Sequence, residues 1–312
     1  MIITVTLNPA LDKVIYLEKL RSGRLNRSSK VTVRAGGKGI NVARILHTMG
    51  EEVLAMGLIG GYIGERLGEL IREEGLPACL TSSRYISREN IKIIEENKRE
   101  TEINQEGKVD QESFLNFKEE LKEKLPGASL LILSGSLPRG LPLDTYQELV
   151  SLANDYNVPA ILDSSGLPFK YALESGPYLI KPNINELSEL AGEKVSFVPD
   201  VQRIVKRLLQ KGIKNVVVSM GKKGAYLANG KESYLIIAPE IRIADTTVGA
   251  GDTMVAGLAI ALQRGYGFLE MGKYATALAT LYVSGEKLTE ANLEKMIERL
   301  EVMDGDFPYE KL

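Results

Sequence analysis

Short, continuous apolar runs alternate with amphipathic helical patterns along most of this chain, and that alternation limits its fold more than any other feature. Ile2–Leu7, Val53–Leu58, Leu130–Leu133, Ala160–Leu162, Tyr178–Ile180 and Val216–Ser219 read as strands too apolar to turn one face to water. Helical patterns follow several of them, as in Leu143–Tyr156 and Val201–Gln210. Strands apolar on both sides need helices above and below. The pattern therefore predicts an α/β fold: a three-layer α/β/α arrangement around a mostly parallel sheet. In such open sheets, ligands bind beyond the carboxyl ends of the strands.

Two stretches break the pattern. Asp12–Arg34 and Tyr85–Gln105 alternate polar and apolar residues, as in Val14-Ile-Tyr-Leu and Ile91-Lys-Ile-Ile. They predict half-buried strands of a small separate sheet, inserted as a lid over the strand ends. Two surface hairpins are the plainer alternative. At 312 residues the chain slightly exceeds the size at which one core stops growing. A single domain over 1–312, with lid insertions at about 12–34 and 85–105, fits better than two equal halves. The last dozen residues read as a polar tail.

Composition removes several functions. A net charge of −2 provides no basic field, so nucleic acid is not an expected partner. No run approaches the ~18 apolar residues of a membrane span, and Met1-Ile-Ile-Thr-Val-Thr-Leu reads as a strand rather than a leader. Cys79 is the one cysteine, so no intrachain disulfide can form, and a reducing cytoplasm with no membrane partner is expected. The single histidine, His47, falls off the apolar stripe of Val42, Ile45, Leu46 and Met49 and should face solvent. Zinc sites built from histidine and cysteine are excluded by count. Chemistry falls to carboxylates, lysines, backbone amides or an oxygen-ligated metal such as Mg²⁺.

The segment Thr247-Val-Gly-Ala-Gly-Asp252-Thr-Met-Val-Ala-Gly carries the most information. Its glycines allow successive N–H groups to point into one concavity. Val255, Leu258, Ala259 and Leu262 form one helix face, so Asp252 falls at or within the first turn, beside free amides and the positive dipole end. Such a carboxylate can accept a proton while the amides hold a developing anion. A plain N-cap is the competing reading. A dinucleotide fingerprint fits less well, because Met254 stands where a third glycine belongs.

Ala35-Gly-Gly-Lys38-Gly-Ile-Asn41-Val-Ala-Arg also opens a helix, but Gly39 after the lysine excludes a P-loop. Leu179-Ile-Lys181-Pro-Asn183-Ile-Asn-Glu186 sets Asn183 and Glu186 one helical turn apart. That pair can orient the waters of hydrated Mg²⁺ or can form a capping box. Ser219-Met-Gly221-Lys-Lys-Gly224 and Ser134-Gly-Ser-Leu-Pro-Arg139-Gly are further glycine-bearing turns after strands. Four such turns on one parallel sheet would line a single crevice with backbone donors.

Taken together, these segments resemble the PfkB branch of the ribokinase-like sugar kinases, from Thr6-Leu-Asn-Pro-Ala-Leu-Asp12 to the final helices. Leu25-Asn-Arg27, Arg88-Glu-Asn-Ile-Lys and Glu100-Thr-Glu-Ile-Asn104 look like the subgroup containing 1-phosphofructokinase and tagatose-6-phosphate kinase. The resemblance implies that Asp252 deprotonates the attacking hydroxyl while the amides of Gly249, Ala250 and Gly251 stabilise the transferring phosphoryl. It implies Asp12, Asn41 and the Gly37 backbone on sugar hydroxyls, and Lys38, Arg88 and Arg139 on the substrate's own phosphate. Lys181, Asn183 and Glu186 would manage ATP phosphates and Mg²⁺, Glu186 through water, with Ser219, Gly221 and Gly224 at the nucleotide. The lid would clasp a second subunit in a homodimer, letting Arg27 reach the neighbouring site.

The function expected is ATP-dependent phosphorylation of a ketohexose phosphate, fructose 1-phosphate to fructose 1,6-bisphosphate in the first place. Tagatose 6-phosphate and fructose 6-phosphate are the alternative acceptors. A dehydrogenase and a non-catalytic sugar-phosphate sensor are readings from other classes.

Overall fold

The structure is a computed structural model that describes residues 1–244 and 247–304. The first strands are β1 (Ile2–Thr6), β2 (Ala10–Leu17), β3 (Lys30–Gly36), β4 (Val53–Ile59), β5 (Ala78–Ser82), β6 (Arg88–Glu95) and β7 (Glu100–Asn104). They are followed by β8 (Leu130–Ser134), β9 (Ala160–Asp163), β10 (Leu179–Ile180), β11 (Asn215–Ser219), β12 (Ala225–Asn229), β13 (Ser233–Ile237) and β14 (Glu301–Asp304). The helices are α1 (Lys38–Thr48), α2 (Gly61–Glu73), α3 (Gln111–Lys124), α4 (Thr145–Asp155) and α5 (Gly166–Ala172). The remainder are α6 (Ile184–Ala191), α7 (Val198–Gln210), α8 (Ala250–Gln263), α9 (Phe268–Ser284) and α10 (Glu290–Glu298).

The large sheet has the order β14-β13-β12-β11-β10-β9-β8-β1-β4-β5. Every neighbour from β11 to β5 runs parallel, and β12, β13 and β14 extend it antiparallel. Side chains leave a strand alternately up and down. Ile2 thus packs into one core with α1, α2, α8, α9 and α10, while Ile3 and Val5 pack into a second with α3 to α7. Helices cover both faces, which is the three-layer arrangement the apolar runs require. The reading of the last dozen residues as a tail fails for the first four of them: Glu301–Asp304 form β14, and 305–312 lie outside the described residues.

The two alternating stretches form one small sheet of order β3-β2-β6-β7. They are not separate hairpins, because β2 pairs in parallel with β6 and so joins the two insertions. Register places Asp12 opposite Arg34 and Asn90, and Asn90 opposite Asn104, on one face. Lys13, Val33, Ile91 and Ile103 occupy the other. The small sheet springs from the carboxyl end of β1, through Leu7–Pro9, and returns through Gly37 directly into α1. Among the described residues, no helix is long and apolar enough to cross a membrane.

Candidate active site

Asp252 is not the cap of α8 but a residue of its first turn. The cap is Gly249, whose φ of +91° belongs to the left-handed region and whose side carries no capping bond. A Cβ at Gly249 would start 2.8 Å from the Tyr282 hydroxyl. The Ala250 amide closes a turn onto the Thr247 carbonyl at 3.2 Å. The amides of Gly251 and Asp252 fall in the turn where a helix has no carbonyl to offer, so they remain available to an anion. Lys181 lies against the same turn: a side chain at Gly251 would begin 3.6 Å from its ammonium.

The Asp252 carboxylate is only 7% exposed, and its Oδ2 accepts a 2.8 Å hydrogen bond from Asn41 Nδ2. Burial pushes its carboxyl up to about 6, and the nearby charge of Asp163 adds to the rise. The Asn41 bond, Lys38 and Lys181 pull the other way. A carboxylate so balanced is ionised at neutral pH yet basic enough to take a proton.

Asp163, at the end of β9, organises the charges beside that base. Its side chain is 1% exposed and lies 3.2 Å from both Lys181 and Lys38. Both contacts are ion pairs at hydrogen-bonding distance, one ammonium to each carboxylate oxygen. Burial by itself would raise the Asp163 carboxyl, but Lys181 and Lys38 outweigh it and hold it below the usual range. Burial would lower the Lys38 ammonium, but Asp163, Glu186 and Asp252 raise it instead.

Lys38 also approaches Glu186 Oε1 at 3.7 Å. The other Glu186 oxygen accepts from the Asn183 amide at 2.8 Å, and the Asn183 side chain accepts from the Glu186 amide at 2.9 Å. The capping box and the functional reading thus hold together, because Glu186 divides its oxygens between helix and site. Asn183 forms a backbone bridge to Ser219. Gly221 and Gly224, with φ of +60° and +96°, shape the turn that follows.

Asp12 lies farther along the small sheet's polar face. Its Oδ1 accepts from Asn90 at 2.9 Å, and Arg88 donates to Asn90 at 3.2 Å and to the Asn8 carbonyl at 3.2 and 3.3 Å. Asn8 in turn reaches Ser136 at 3.1 Å, in the turn that also bears Arg139. The Gly37 backbone packs onto the end of β1: a Cβ at its φ of +126° would stand 2.6 Å from Thr6 Cγ2. Arg139 is largely exposed and pairs with Glu106 at 2.7 Å, while the Lys108 ammonium beside it sits 4.1 Å from the Tyr85 ring centre. Arg27 is exposed in the β2–β3 loop and joins none of these groups.

Lys38 therefore gathers with Asp163, Glu186 and Asp252, whereas Arg88 and Arg139 stand with Asn8 and Ser136. Of the four glycine-bearing turns, those after β8 and β11 leave strands of the large sheet. Ala35–Arg44 leaves β3 of the small one, and Thr247–Asp252 follows a stretch without strand among the described residues. Sequence reasoning missed Asp163, Asn90, Asn8, Arg44 and Lys108. Asp163 carried the one usable signal: a carboxylate just past an apolar strand, where such sheets bind ligands.

Among the described residues no three His, Cys, Asp or Glu side chains cluster to cage a metal. The donors fit a hydrated ion instead: Mg²⁺ keeps several waters and needs few carboxylates, and Glu186 turns its Oε1 towards Lys38 and the site rather than into the helix cap.

A large, mostly parallel sheet, a small sheet rooted at its carboxyl edge and a carboxylate in a helix's first turn define a ribokinase-like sugar kinase. The chain belongs to the pfkB family of carbohydrate kinases, whose profile matches residues 5–296. It is 35% identical over 308 residues to the 1-phosphofructokinase of Borreliella burgdorferi, covering 97% of this chain and 99% of that protein. The 1-phosphofructokinase of Bacillus subtilis is 34% identical over 304 residues, with coverage of 97% and 99%. The tetrameric inhibited form of phosphofructokinase-2 from Escherichia coli superimposes with a TM-score of 0.89 at 29% identity, over 95% of this chain and 98% of that one.

Proposed function

We propose that the protein is a cytoplasmic enzyme that transfers the terminal phosphoryl group of ATP to the free hydroxymethyl oxygen of a ketohexose phosphate, and that fructose 1-phosphate is the acceptor. The observation that carries the reading is the position of Asp252, in the first turn of α8, held by Asn41 and flanked by Lys38 and Lys181. Asp252 takes the hydroxyl proton as the oxygen attacks phosphorus. The bond from phosphorus to the bridging oxygen breaks, leaving fructose 1,6-bisphosphate and ADP. Phosphoryl transfer asks the protein for positioning and charge neutralisation rather than covalent help.

The free amides of Gly251 and Asp252 hold the transferring group, with Gly249 shaping the turn. Lys38, between Glu186 and Asp163, neutralises charge on that group as it moves. Lys181 serves the nucleotide phosphates, and Ser219, Gly221 and Gly224 flank the nucleotide. Asn183 and Glu186 would hold the waters of Mg²⁺ together with Asp163; the ion would supply charge neutralisation on the phosphates of ATP. Asp12, Asn41 and the Gly37 backbone bind sugar hydroxyls. Arg88 and Arg139 hold the acceptor's own phosphate, the guanidinium fork being suited to that geometry.

The likeness to two 1-phosphofructokinases supports fructose 1-phosphate over tagatose 6-phosphate or fructose 6-phosphate. Intact base, anion turn and Glu186 weigh against a sensor that only binds. The small sheet's apolar face supports a homodimer formed through it. Measuring kcat/KM with ATP and each of the three sugar phosphates tests the assignment. Fructose 1-phosphate should lead; a clear lead for either of the others would replace it.

A further inference from the structure

The Asn41 amide can offer Asp252 either its oxygen or its nitrogen, and only the nitrogen stabilises an ionised carboxylate. Arg44, one helical turn further along α1, decides which. Its Nη1 donates to Asn41 Oδ1 at 2.8 Å, which leaves Nδ2 for Asp252 Oδ2 at 2.8 Å. The guanidinium is fixed from two other directions. Nη2 donates to the Ala35 carbonyl of β3 at 2.8 Å. Nε and Nη2 reach the Glu74 carboxylate, at the end of α2, at 2.7 and 3.1 Å. One planar group thus links the edge strand β3 of the small sheet, the end of α2 and the amide that touches the base. A lysine, with a point charge on a flexible stem, cannot meet those directions together.

We propose that Arg44 is a positioning residue for phosphoryl transfer: through Asn41 it sets the orientation of Asp252, and through Ala35 it ties that orientation to the root of the small sheet. The proposal rests on the reading of Asp252 as the base. With Oδ2 held by Asn41, Oδ1 is left for the acceptor hydroxyl. Displacement of a reacting group by about an ångström costs on the order of 10²-fold in rate, so this orientation is worth fixing from behind.

The test uses full-length Arg44→Met, Arg44→Lys and Glu74→Gln, with Asp252→Asn as control, measured for kcat, KM, pH profile and thermal melting. Both Arg44 variants should lower kcat by roughly 10- to 10²-fold while leaving KM for ATP unchanged. Glu74→Gln should act in the same direction and less. The acid limb of kcat/KM should move to higher pH, because Asp252 loses the fixed donor on α1. Its charged neighbours Lys38 on α1, Asp163 on β9 and Lys181 after β10 all stay. Adding Asn41→Ala to Arg44→Met should cost little more in kcat, since both act on Asp252 through one bond, while KM for the sugar phosphate rises with the lost contact to its hydroxyls.

Wild-type kcat in Arg44→Lys would overturn the proposal. So would a fall in kcat that tracks a lower melting temperature with no movement of the acid limb. If Asp252→Asn itself keeps wild-type turnover, the base assignment fails and this proposal fails with it. An inactive Asp252→Asn beside fully active Arg44 variants removes the positioning role alone.

Discussion

Asp163 and Lys181 meet at 3.2 Å with side chains only 1% and 3% exposed. They form a charge pair taken almost wholly out of water. Desolvating two ions costs several kcal/mol each before their attraction returns it, so hydrophobic replacements would stabilise the fold as well or better. The pair makes sense as equipment: it keeps one ammonium fixed beside the α8 anion turn and draws a second, Lys38, to the same carboxylate.

Removing one partner of such a pair strands the other. Asp163→Ala should therefore destabilise the fold by about 3 kcal/mol or more, read as a lower urea midpoint with an unchanged slope. Lys181→Met should cost less, because Lys38 still faces Asp163. Equal and negligible losses in both variants would show that water or relaxation screens the pair.

Asp252→Asn keeps the shape of the side chain and removes its basicity. The loss of a general base costs ~10²–10⁴ in rate, so kcat should fall by at least ~10² while thermal melting stays unchanged. Near-normal turnover would take Asp252 out of the mechanism.

The pH dependence follows from the sign of the Asp252 shift. A base must be unprotonated to act, and its carboxyl is pushed up to about 6. The acid limb of kcat/KM should then fall as pH drops through about 6. The substrate's own phosphate titrates near ~6 as well, so variants must separate the two. Asn41→Ala removes a donor that stabilises the anion and should move the limb up. Asp163→Asn removes a neighbouring negative charge and should move it down. A substrate ionisation would move with neither.

The inner parallel strands were legible because burial on both faces writes a continuous apolar run, as in Ile2–Thr6, whereas the parallel edge strand β5, largely uncovered, was not. Residues 225–237 and 301–304 were not legible as strands. They are short and antiparallel, and their partly exposed positions, such as Tyr234 and Val302, take either polar or apolar residues. The same limit governs the site. Asp252 announced itself through its own glycines, and Glu186 through its spacing from Asn183. Asp163 and Arg44 act on partners brought close only by folding, and no local pattern marks them. The resemblance grouped Lys38 with Arg88 and Arg139; its three carboxylate neighbours come from separate elements.

Arg88 and Lys38 should separate kinetically. Arg88 is spread over carbonyls and Asn90 near Asn8 and Ser136, away from the base. Arg88→Met should raise KM for the sugar phosphate with a smaller effect on kcat. Lys38→Met should lower kcat more than it raises that KM, since its charge faces the transferring group. The opposite split would return Lys38 to the substrate's phosphate and move Arg88 to the reacting centre.

The outer face of the small sheet bears on assembly. Val31, Val33 and Ile103 are 48%, 38% and 55% exposed, and register puts Val33 and Ile103 in line with Lys13 and Ile91. An apolar sheet face in water is what a second copy of the same sheet would cover. A charge on its β3 edge leaves the polar face, with Asp12 and Asn90, untouched. Val33→Asp should therefore give a folded monomer by light scattering where the parent chain is a dimer. If Arg27 reaches across that contact, the monomer should also lose activity, and Arg27→Ala should reproduce the loss without dissociating the pair. A monomeric parent chain, or a dimer indifferent to Val33→Asp, would place the contact elsewhere and leave Arg27 as a solvated surface charge.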